Sequence, residues 1–139
     1  MNDAVSRFRA ASEAHDVEAM MATVAPDAEL VSPISGRLVF RGAADLRLLL
    51  EAIYSTVTAV RWNPIVGDGD VRILVGEAQL GRMTLGDAMM LELAPDGRIQ
   101  VMRPHLHPWL GLSLLALRLG PRLLRHPSVV HRALRSTTG

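Results

Sequence analysis

The fold is decided by the stretch Asp16–Pro33, which reads DVEAMMATVAPDAELVSP. Asp16 is a typical N-cap and predicts a short helix after it. Pro26 cannot continue that helix, and Ala28–Ser32 then reads as a short strand. A helix that gives way to a strand so quickly is typical of the opening of a compact α+β unit.

Helical patterns lie on both sides of this stretch. Residues 3–14 place Val5 and Phe8 at helical spacing, which predicts a preceding helix. After an Arg41-Gly42 pair, Ala43–Ser55 carries a broad apolar stripe formed by Leu46, Leu49, Leu50 and Ile53. We therefore expect two short helices, a strand and a third, longer helix.

The middle of the chain predicts four strands separated by short turns. The predicted strands are Val57–Val66, Val71–Leu80, Thr84–Leu93 and Arg98–His105. Short turns between successive strands predict an antiparallel meander. Helices first and strands afterwards predict the α+β class.

Composition limits the classes of protein that this chain can represent. Its 139 residues are 49% hydrophobic and 21% charged, which is typical of one globular domain. The chain has no cysteine, so disulfides, zinc–thiolate sites and thiol nucleophiles are excluded. The first 15 residues lack the apolar segment of a secretory signal, and we expect a cytoplasmic location.

The end of the chain differs from the rest in charge and texture. Residues 1–96 hold all 14 acidic residues and eight arginines, a net charge of −6, whereas residues 97–139 hold seven arginines and no acid. Leu110–Leu119 is nearly pure apolar, and Gly120-Pro121 predicts an interruption before Arg122–Arg135. This basic, leucine-rich tail could dock on the acidic body or a partner, form a lid over a cavity, make a dimer contact, or touch a membrane surface through residues 109–135.

These features together resemble the nuclear transport factor 2-like superfamily and, within it, the SnoaL-like domains. The resemblance covers about residues 3–105 and rests on the Asp16–Ser32 stretch, the Phe40-Arg41-Gly42 helix start and the predicted hairpin Leu91–Ile99. It implies a cone-shaped, curved antiparallel sheet wrapped around a long helix with an internal cavity, and frequent dimerisation through the sheet. We accordingly predict a cone domain over residues 1–105 and a helical C-terminal extension over residues 106–139.

The resemblance leaves the activity open, because its members include ketosteroid isomerase, limonene epoxide hydrolase, polyketide cyclases and binding domains. The isomerase-like members have a general-base Asp where this chain has Ser32, a Tyr where it has Phe8, and a neutral carboxylic acid near Met89. The paired Arg and Asp of the epoxide hydrolases have no clear match, since Arg82 and Asp87 lie across a predicted turn. Steroid-isomerase chemistry is therefore disfavoured.

Three residues remain candidates for acid–base chemistry. Asp87 shares a strand face with Met89 if Gly86 does not end the strand in a turn. Glu77 interrupts the alternating set Val71, Ile73 and Val75, and is either a cavity acid or an exposed or salt-bridged residue. Burial would raise the pKa of either carboxyl group and fit it for proton transfer. His105 is either a group at the cavity mouth or an ordinary loop histidine.

Other residues are expected to shape the cavity and hold the ligand. Methionine suits irregular apolar pockets, and tyrosine and tryptophan offer a polar end for orienting a ligand. The predicted ligand-binding residues are Ser32, Tyr54, Trp62, Gln79, Met89, Leu91 and Met102.

We predict no metal and no cofactor. His105 and His107 could share a face, but no third ligand is evident. Nucleic acid is not an expected partner, because the chain lacks lysine and has no binding motif. The favoured function is binding of a small, mostly apolar molecule by a homodimer. The alternative is an isomerase, cyclase or hydratase/epoxide-hydrolase-type enzyme acting on a polycyclic or lipid-like substrate.

Overall fold

The structure is a computed structural model that describes residues 3–135. Within that range it has five helices and a mixed, curved sheet of seven strands, so the predicted α+β class is confirmed. The elements in chain order are α1 Ala4–Glu13, α2 Val17–Met21, β1 Val24–Val31, β2 Val39–Arg41, α3 Ala43–Thr56, β3 Thr58–Trp62, β4 Val71–Leu80, β5 Met83–Leu93, β6 Ile99–Arg103, β7 Leu106–His107, α4 Trp109–Leu124 and α5 Pro127–Arg135. The last part of the predicted tail, residues 136–139, lies outside the described residues.

The two N-terminal helices begin at capped residues. The Asp3 carboxylate accepts the N–H of Ser6 at 2.9 Å, and the Asp16 carboxylate accepts the N–H of Ala19 at 3.0 Å. Each cap satisfies an amide that a helix leaves unpaired at its start. The predicted cap of α2 is therefore confirmed.

The strands are ordered β2-β1-β6-β5-β4-β3, and β7 pairs with β5. The predicted antiparallel meander is present from β3 to β6. In contrast, β1 joins β6 in parallel, with Leu30 opposite Met102, so the sheet is not antiparallel throughout. β1 also begins at Val24, earlier than predicted, and Pro26 falls within a register shift, where its missing N–H interrupts no regular pairing.

The prediction of Glu77 and Gln79 as cavity residues placed their row of β4, with Val71, Ile73 and Val75, on the inner side of the sheet. The structure places the other row there. The row with Leu74 and Leu80, both 0% exposed, packs into the core, whereas Val71 and Val75 on the other row are 47% and 39% exposed. Both rows contain apolar residues, so alternation alone could not choose between them. Gly76, on the inward row, makes room for Trp62, because a Cβ at Gly76 would lie 2.6 Å from the indole ring.

The core forms where α3 and α1 pack against the inner side of the sheet. Leu46, Leu49 and Leu50 of α3 are buried, as are Val5 and Phe8 of α1. Full burial of such a side chain stabilises the fold by about 1.5–3 kcal/mol. The predicted apolar stripe of α3 is therefore the face that closes over the sheet.

The tail forms two helices that pack back onto this unit. α4 continues through Gly120 and Pro121 to Leu124, so the predicted interruption is wrong. Proline in a helix removes one N–H donor and crowds the carbonyl four residues earlier, yet packing of α4 on α3 and β5 keeps the helix continuous. The predicted break at Pro127 is present, because α5 begins at that residue.

α5 is fixed to the start of α3 by a two-point ion pair. The Arg132 guanidinium donates from Nε and Nη2 to the two carboxylate oxygens of Asp45, at 3.0 and 2.8 Å. Asp45 is 7% exposed, and paired geometry of this kind is strong and specific in direction. Val129 and Ala133 are buried on the same helix. None of the helices described between residues 3 and 135 is long and apolar enough to cross a membrane.

Candidate ligand cavity

A cavity of about 290 Å³ lies between α3, the inner face of the sheet and α4. Its walls are almost wholly apolar and include Leu30, Leu49, Val60 and Leu85. The volume is near the lower end for ligand pockets, which is about 300 Å³. A site of this size and lining suits a small apolar molecule.

The tail supplies the roof of this cavity. Residues of α4 that line it are Leu112, Leu115, Ala116, Leu119, Gly120 and Leu123. They recur at intervals of three and four, so they share one side of the helix. Of the placements considered for the tail, the structure therefore shows the lid.

Two acids line the cavity, Glu77 and Asp87, and Asp87 is the less exposed of the two. It lies within β5, opposite Gly76 of β4 and Leu106 of β7, rather than in a turn after Gly86. Its Oδ1 accepts the backbone N–H of His105 at 3.2 Å. Burial raises the pKa of the Asp87 carboxyl to about 7, against the opposing effects of that hydrogen bond and of the His105 charge.

Tyr54 and Trp62 also line the cavity, and Ser12 links them. The Trp62 indole donates to the Ser12 hydroxyl at 2.7 Å, and that hydroxyl donates to the backbone oxygen of Arg9 at 2.8 Å. Burial raises the pKa of the Tyr54 phenol, the Asp87 charge raises it further, and a hydrogen bond with Ser12 opposes the shift. Tyr54 is thus held neutral, within electrostatic reach of Asp87.

His15 positions Tyr54 from the outside. The His15 ring meets the Tyr54 ring edge-on, with 5.5 Å between centroids, and its Nδ1 lies 2.9 Å from the Tyr54 backbone oxygen. Edge-to-face contacts of this kind favour one ring orientation. No partner for His15 could be named from the sequence, because His15 and Tyr54 are 39 positions apart in the chain.

His105 lies beside the cavity rather than in its lining. Its side chain is exposed, and its Nδ1 lies 3.0 Å from the backbone oxygen of Ala88. Its contact with the acid is through the backbone N–H. The neighbouring His107 ring covers Gly86, where a Cβ would lie 2.2 Å from it.

Three more of the predicted ligand-binding residues do line the cavity: Ser32, Met89 and Met102. The Ser32 hydroxyl accepts the N–H of Ile34 at 3.1 Å, which fixes the turn at this end of the cavity. The two methionines come from adjacent strands and are buried.

Leu91 and Gln79 require correction, and Glu77 lies at the cavity without being buried. Leu91 is fully buried but lies in the core and is not among the lining residues. Gln79 is on the outward row of β4, and its amide donates to Thr84 Oγ1 at 2.9 Å. Glu77 is on the same outward row and is exposed, yet it is one of the residues that line the cavity. The error in the face of β4 explains both outward residues.

Of the alternatives left open for Glu77, the structure shows exposure. A salt bridge to Arg72 or Arg82 was another alternative, but neither arginine pairs with Glu77 among the described residues, and Arg72 instead bonds Asp3 at 3.0 Å. Glu77 therefore lacks the burial that would raise the pKa of a carboxyl group.

Metal coordination has no support in the described part of the chain. No group of three or more His, Asp or Glu side chains comes together there as a metal site. His105 and His107 engage Ala88 and Gly86 respectively.

The sequence matches the SnoaL-like domain over residues 5–102. This match covers more than half of the chain, and the protein therefore belongs to the SnoaL-like domain family. A comparison with curated proteins returned no significant match.

Solved structures with the same fold come from proteins of different activities. A protein of Silicibacter pomeroyi described as having a cystatin-like fold aligns with a TM-score of 0.86 at 17% identity, covering 96% of this chain and 95% of its own. A steroid delta-isomerase of Pseudomonas aeruginosa aligns with a TM-score of 0.79 at 21% identity, covering 90% and 92%. The epoxide hydrolase/cyclase-like enzyme SalBIII, with a role in pyran ring formation in the polyether salinomycin, aligns at 0.64 and 20% identity, covering 75% and 88%. At these identities the likeness shows the fold alone.

Proposed function

We propose that this protein binds a small, mostly apolar molecule in the cavity under α4. The observation that supports this is a space of about 290 Å³ whose apolar walls come from the sheet, α3 and α4 alike. Transfer of a ligand from water to such a space is favourable by about 25 cal/mol per Å² of apolar area.

The ligand carries one oxygen function at its polar end. Two polar side chains, Asp87 and Tyr54, line the cavity there, and the Asp87 charge raises the pKa of the Tyr54 phenol. A carboxyl group with a pKa of about 7 is present in both forms near neutral pH, so it can donate to or accept from a ligand. Tyr54 adds a neutral donor, and a hydroxyl or carbonyl group on the ligand would satisfy both.

A matched pair of variants tests this binding. Ala116→Phe fills the cavity from the roof, whereas Leu117→Phe adds bulk on the exposed side of the same helix. With 2-naphthol as the probe, titration calorimetry should show saturable binding by the wild type and Leu117→Phe, and at least about tenfold weaker binding by Ala116→Phe. Equal binding by all three proteins would contradict the proposed site.

The second candidate function is proton transfer by Asp87, as in an isomerase, cyclase or hydratase. The specific observation is that burial brings its pKa to about 7 beside the neutral donor Tyr54, which is the range that suits a general base at neutral pH. Polar partners for a reacting group are thus present, although the isomerase-like position before Pro33 carries Ser32.

Deuterium exchange of an enolisable probe tests this candidate. Cyclohexanone in D₂O should lose its α-protons faster in the presence of the protein, and Asp87→Asn should abolish the acceleration. Glu92→Gln, on the outward row of β5 and not among the residues that line the cavity, is the control and should retain it. Acceleration by Asp87→Asn equal to that of the wild type would exclude Asp87 as the base.

We further propose a homodimer through the outer face of the sheet. Val71 and Val75 are exposed there, and neighbouring outward residues come from β5 and β6. Val75→Asp should convert a dimer to a monomer in light scattering, whereas Leu124→Asp on α4 should not. A cytoplasmic location stays a prediction.

A further inference from the structure

The side of α4 that faces away from the cavity is apolar and basic at once. We call Leu117, Leu124, Arg118 and the C-cap residue Arg125 the outer face of α4. The leucines are 73% and 68% exposed, and both arginines are exposed. Each pair is spaced by seven residues, so its members lie on the same side of the helix, two turns apart. α4 therefore presents two apolar sides, one of which closes the cavity and one of which meets solvent.

The charge of the outer face is not neutralised by the fold. In the part of the chain that the structure describes, no carboxylate lies within ion-pair distance of Arg118 or Arg125. Asp45 of the cone does reach the tail, but its partner there is Arg132. The sequence has no acid after Asp96. An anionic partner is the one that this face complements.

We infer that the outer face of α4 docks onto an anionic lipid surface. A helix lying in the interface inserts its leucines into the boundary of the acyl chains, and arginines beside them reach the phosphates. Each arginine near such a surface strengthens binding through the negative surface potential. α4 has 16 residues, fewer than the roughly 20 needed to span a bilayer, so it lies along the surface.

A second copy of the chain fits this face poorly. In a twofold dimer the same patch meets itself, and Arg118 and Arg125 would then face the arginines of the partner without intervening acids. The outward face of the sheet has the opposite character, because Arg103 and Glu92 lie 3.9 Å apart on it. Charge thus separates a surface suited to self-association from one suited to anionic lipid.

The position of the docking surface on the cavity roof has a consequence for ligand loading. An apolar ligand concentrates in lipid rather than in water, and docking would bring the roof of its binding site to that source. This step rests on the proposed function, whereas docking itself does not.

Vesicle flotation of the full-length protein tests the docking. The probes are vesicles of phosphatidylcholine alone and of phosphatidylcholine with phosphatidylglycerol, at low ionic strength. The intact protein should float with the anionic vesicles and stay with the soluble fraction when the vesicles are zwitterionic. Leu117→Ser/Leu124→Ser and Arg118→Glu/Arg125→Glu should each weaken flotation at least about tenfold.

A charge-matched control separates the face from the net charge. Arg7→Glu/Arg61→Glu makes the same change in net charge at exposed positions on α1 and β3 and should float like the wild type. Loss of flotation in this control, flotation of either α4 variant like the wild type, or failure of the intact protein to float would overturn the inference. Binding of 2-naphthol by the same variants reports separately on the cavity, so failure of docking and failure of ligand binding are distinguishable.

Discussion

The cone and the tail use apolar residues in different ways. In the cone, formed by α1 to β6, apolar side chains alternate or follow a helical stripe, and one side is buried while the other is exposed. In the tail, formed by α4 and α5, leucines occur all round α4, with Leu115 buried and Leu117 73% exposed two residues later. The difference indicates that the cone is specified by its own pattern, whereas the tail is specified by what it covers.

The largest expected effect contrasts a core leucine with a tail leucine. Leu46→Ala removes a side chain that is 0% exposed and should lower the free energy of unfolding by about 2–5 kcal/mol, since the site can relax only in part. Leu124→Ala, at an exposed position, should change it by less than about 0.5 kcal/mol. Urea unfolding measures both, and a similar loss in the two variants would contradict the distinction between cone and tail.

The pH dependence of stability tests the burial of Asp87. Its pKa is about 7 in the folded protein and about 3.9 in an unfolded chain. The folded state therefore binds more protons between pH 4 and 7, so this carboxyl lowers stability as the pH rises through that window. The full penalty, present above pH 7, is on the order of 2–4 kcal/mol.

The variant Asp87→Asn isolates this contribution. It should remove the penalty, so that its stability relative to the wild type increases from pH 4 to pH 8 in urea unfolding. Asp3 and Asp96 have lowered pKa values and therefore titrate below this window. A difference that does not vary with pH would show that Asp87 is solvated.

The connection between cone and tail depends on Gly86. A Cβ at Gly86 would lie 2.2 Å from the His107 ring, and β7 pairs with β5 at that point just before α4 begins. Gly86→Ala should therefore lower the free energy of unfolding by about 1–3 kcal/mol. Gly69→Ala, where nothing lies within 4 Å, is the control. Equal melting temperatures for the two variants would place His107 elsewhere.

The smallest effect is local and concerns the attachment of α5. Arg132→Gln breaks the two-point pair with the buried Asp45 and should speed amide hydrogen exchange several-fold across residues 127–135 while leaving β4 and β5 protected. Arg118→Gln, which has no such pair, should leave α5 unchanged. Exchange in α5 that is insensitive to Arg132→Gln would show that the pair with Asp45 does not hold the helix.

Much of the cone could be predicted because local signals and tertiary packing agree there. Asp16 predicts the cap that the structure shows, and the bounds of β4 match the turns on either side. The inward row of β4 could not be predicted, since Val71 and Leu74 are both apolar and the choice depends on Trp62 packing over Gly76. Because of that one ambiguity, the row of β4 that contains Glu77 and Gln79 was predicted to lie on the inner side of the sheet.

The candidate site could be predicted only where a strand pattern was unambiguous. Asp87, Met89 and Met102 lie at the cavity as their spacing suggested. The link from Trp62 through Ser12 to Arg9 joins distant parts of the chain, and no local signal reveals it. The lining residues of α4 could have been found from their spacing of three and four, but leucines on the other sides of the helix hid that pattern.

The most direct test of the account is an NMR titration of methionine methyl groups with 2-naphthol. Met89 and Met102 line the cavity, and Met90 lies on the outward row of β5 opposite Ile73, so it is an internal control. A ligand cavity beneath α4 predicts saturable shifts at Met89 and Met102 with none at Met90, and loss of those shifts in Ala116→Phe. Shifts that do not saturate, or that are equal at all three methyl groups, would contradict a ligand cavity beneath the tail.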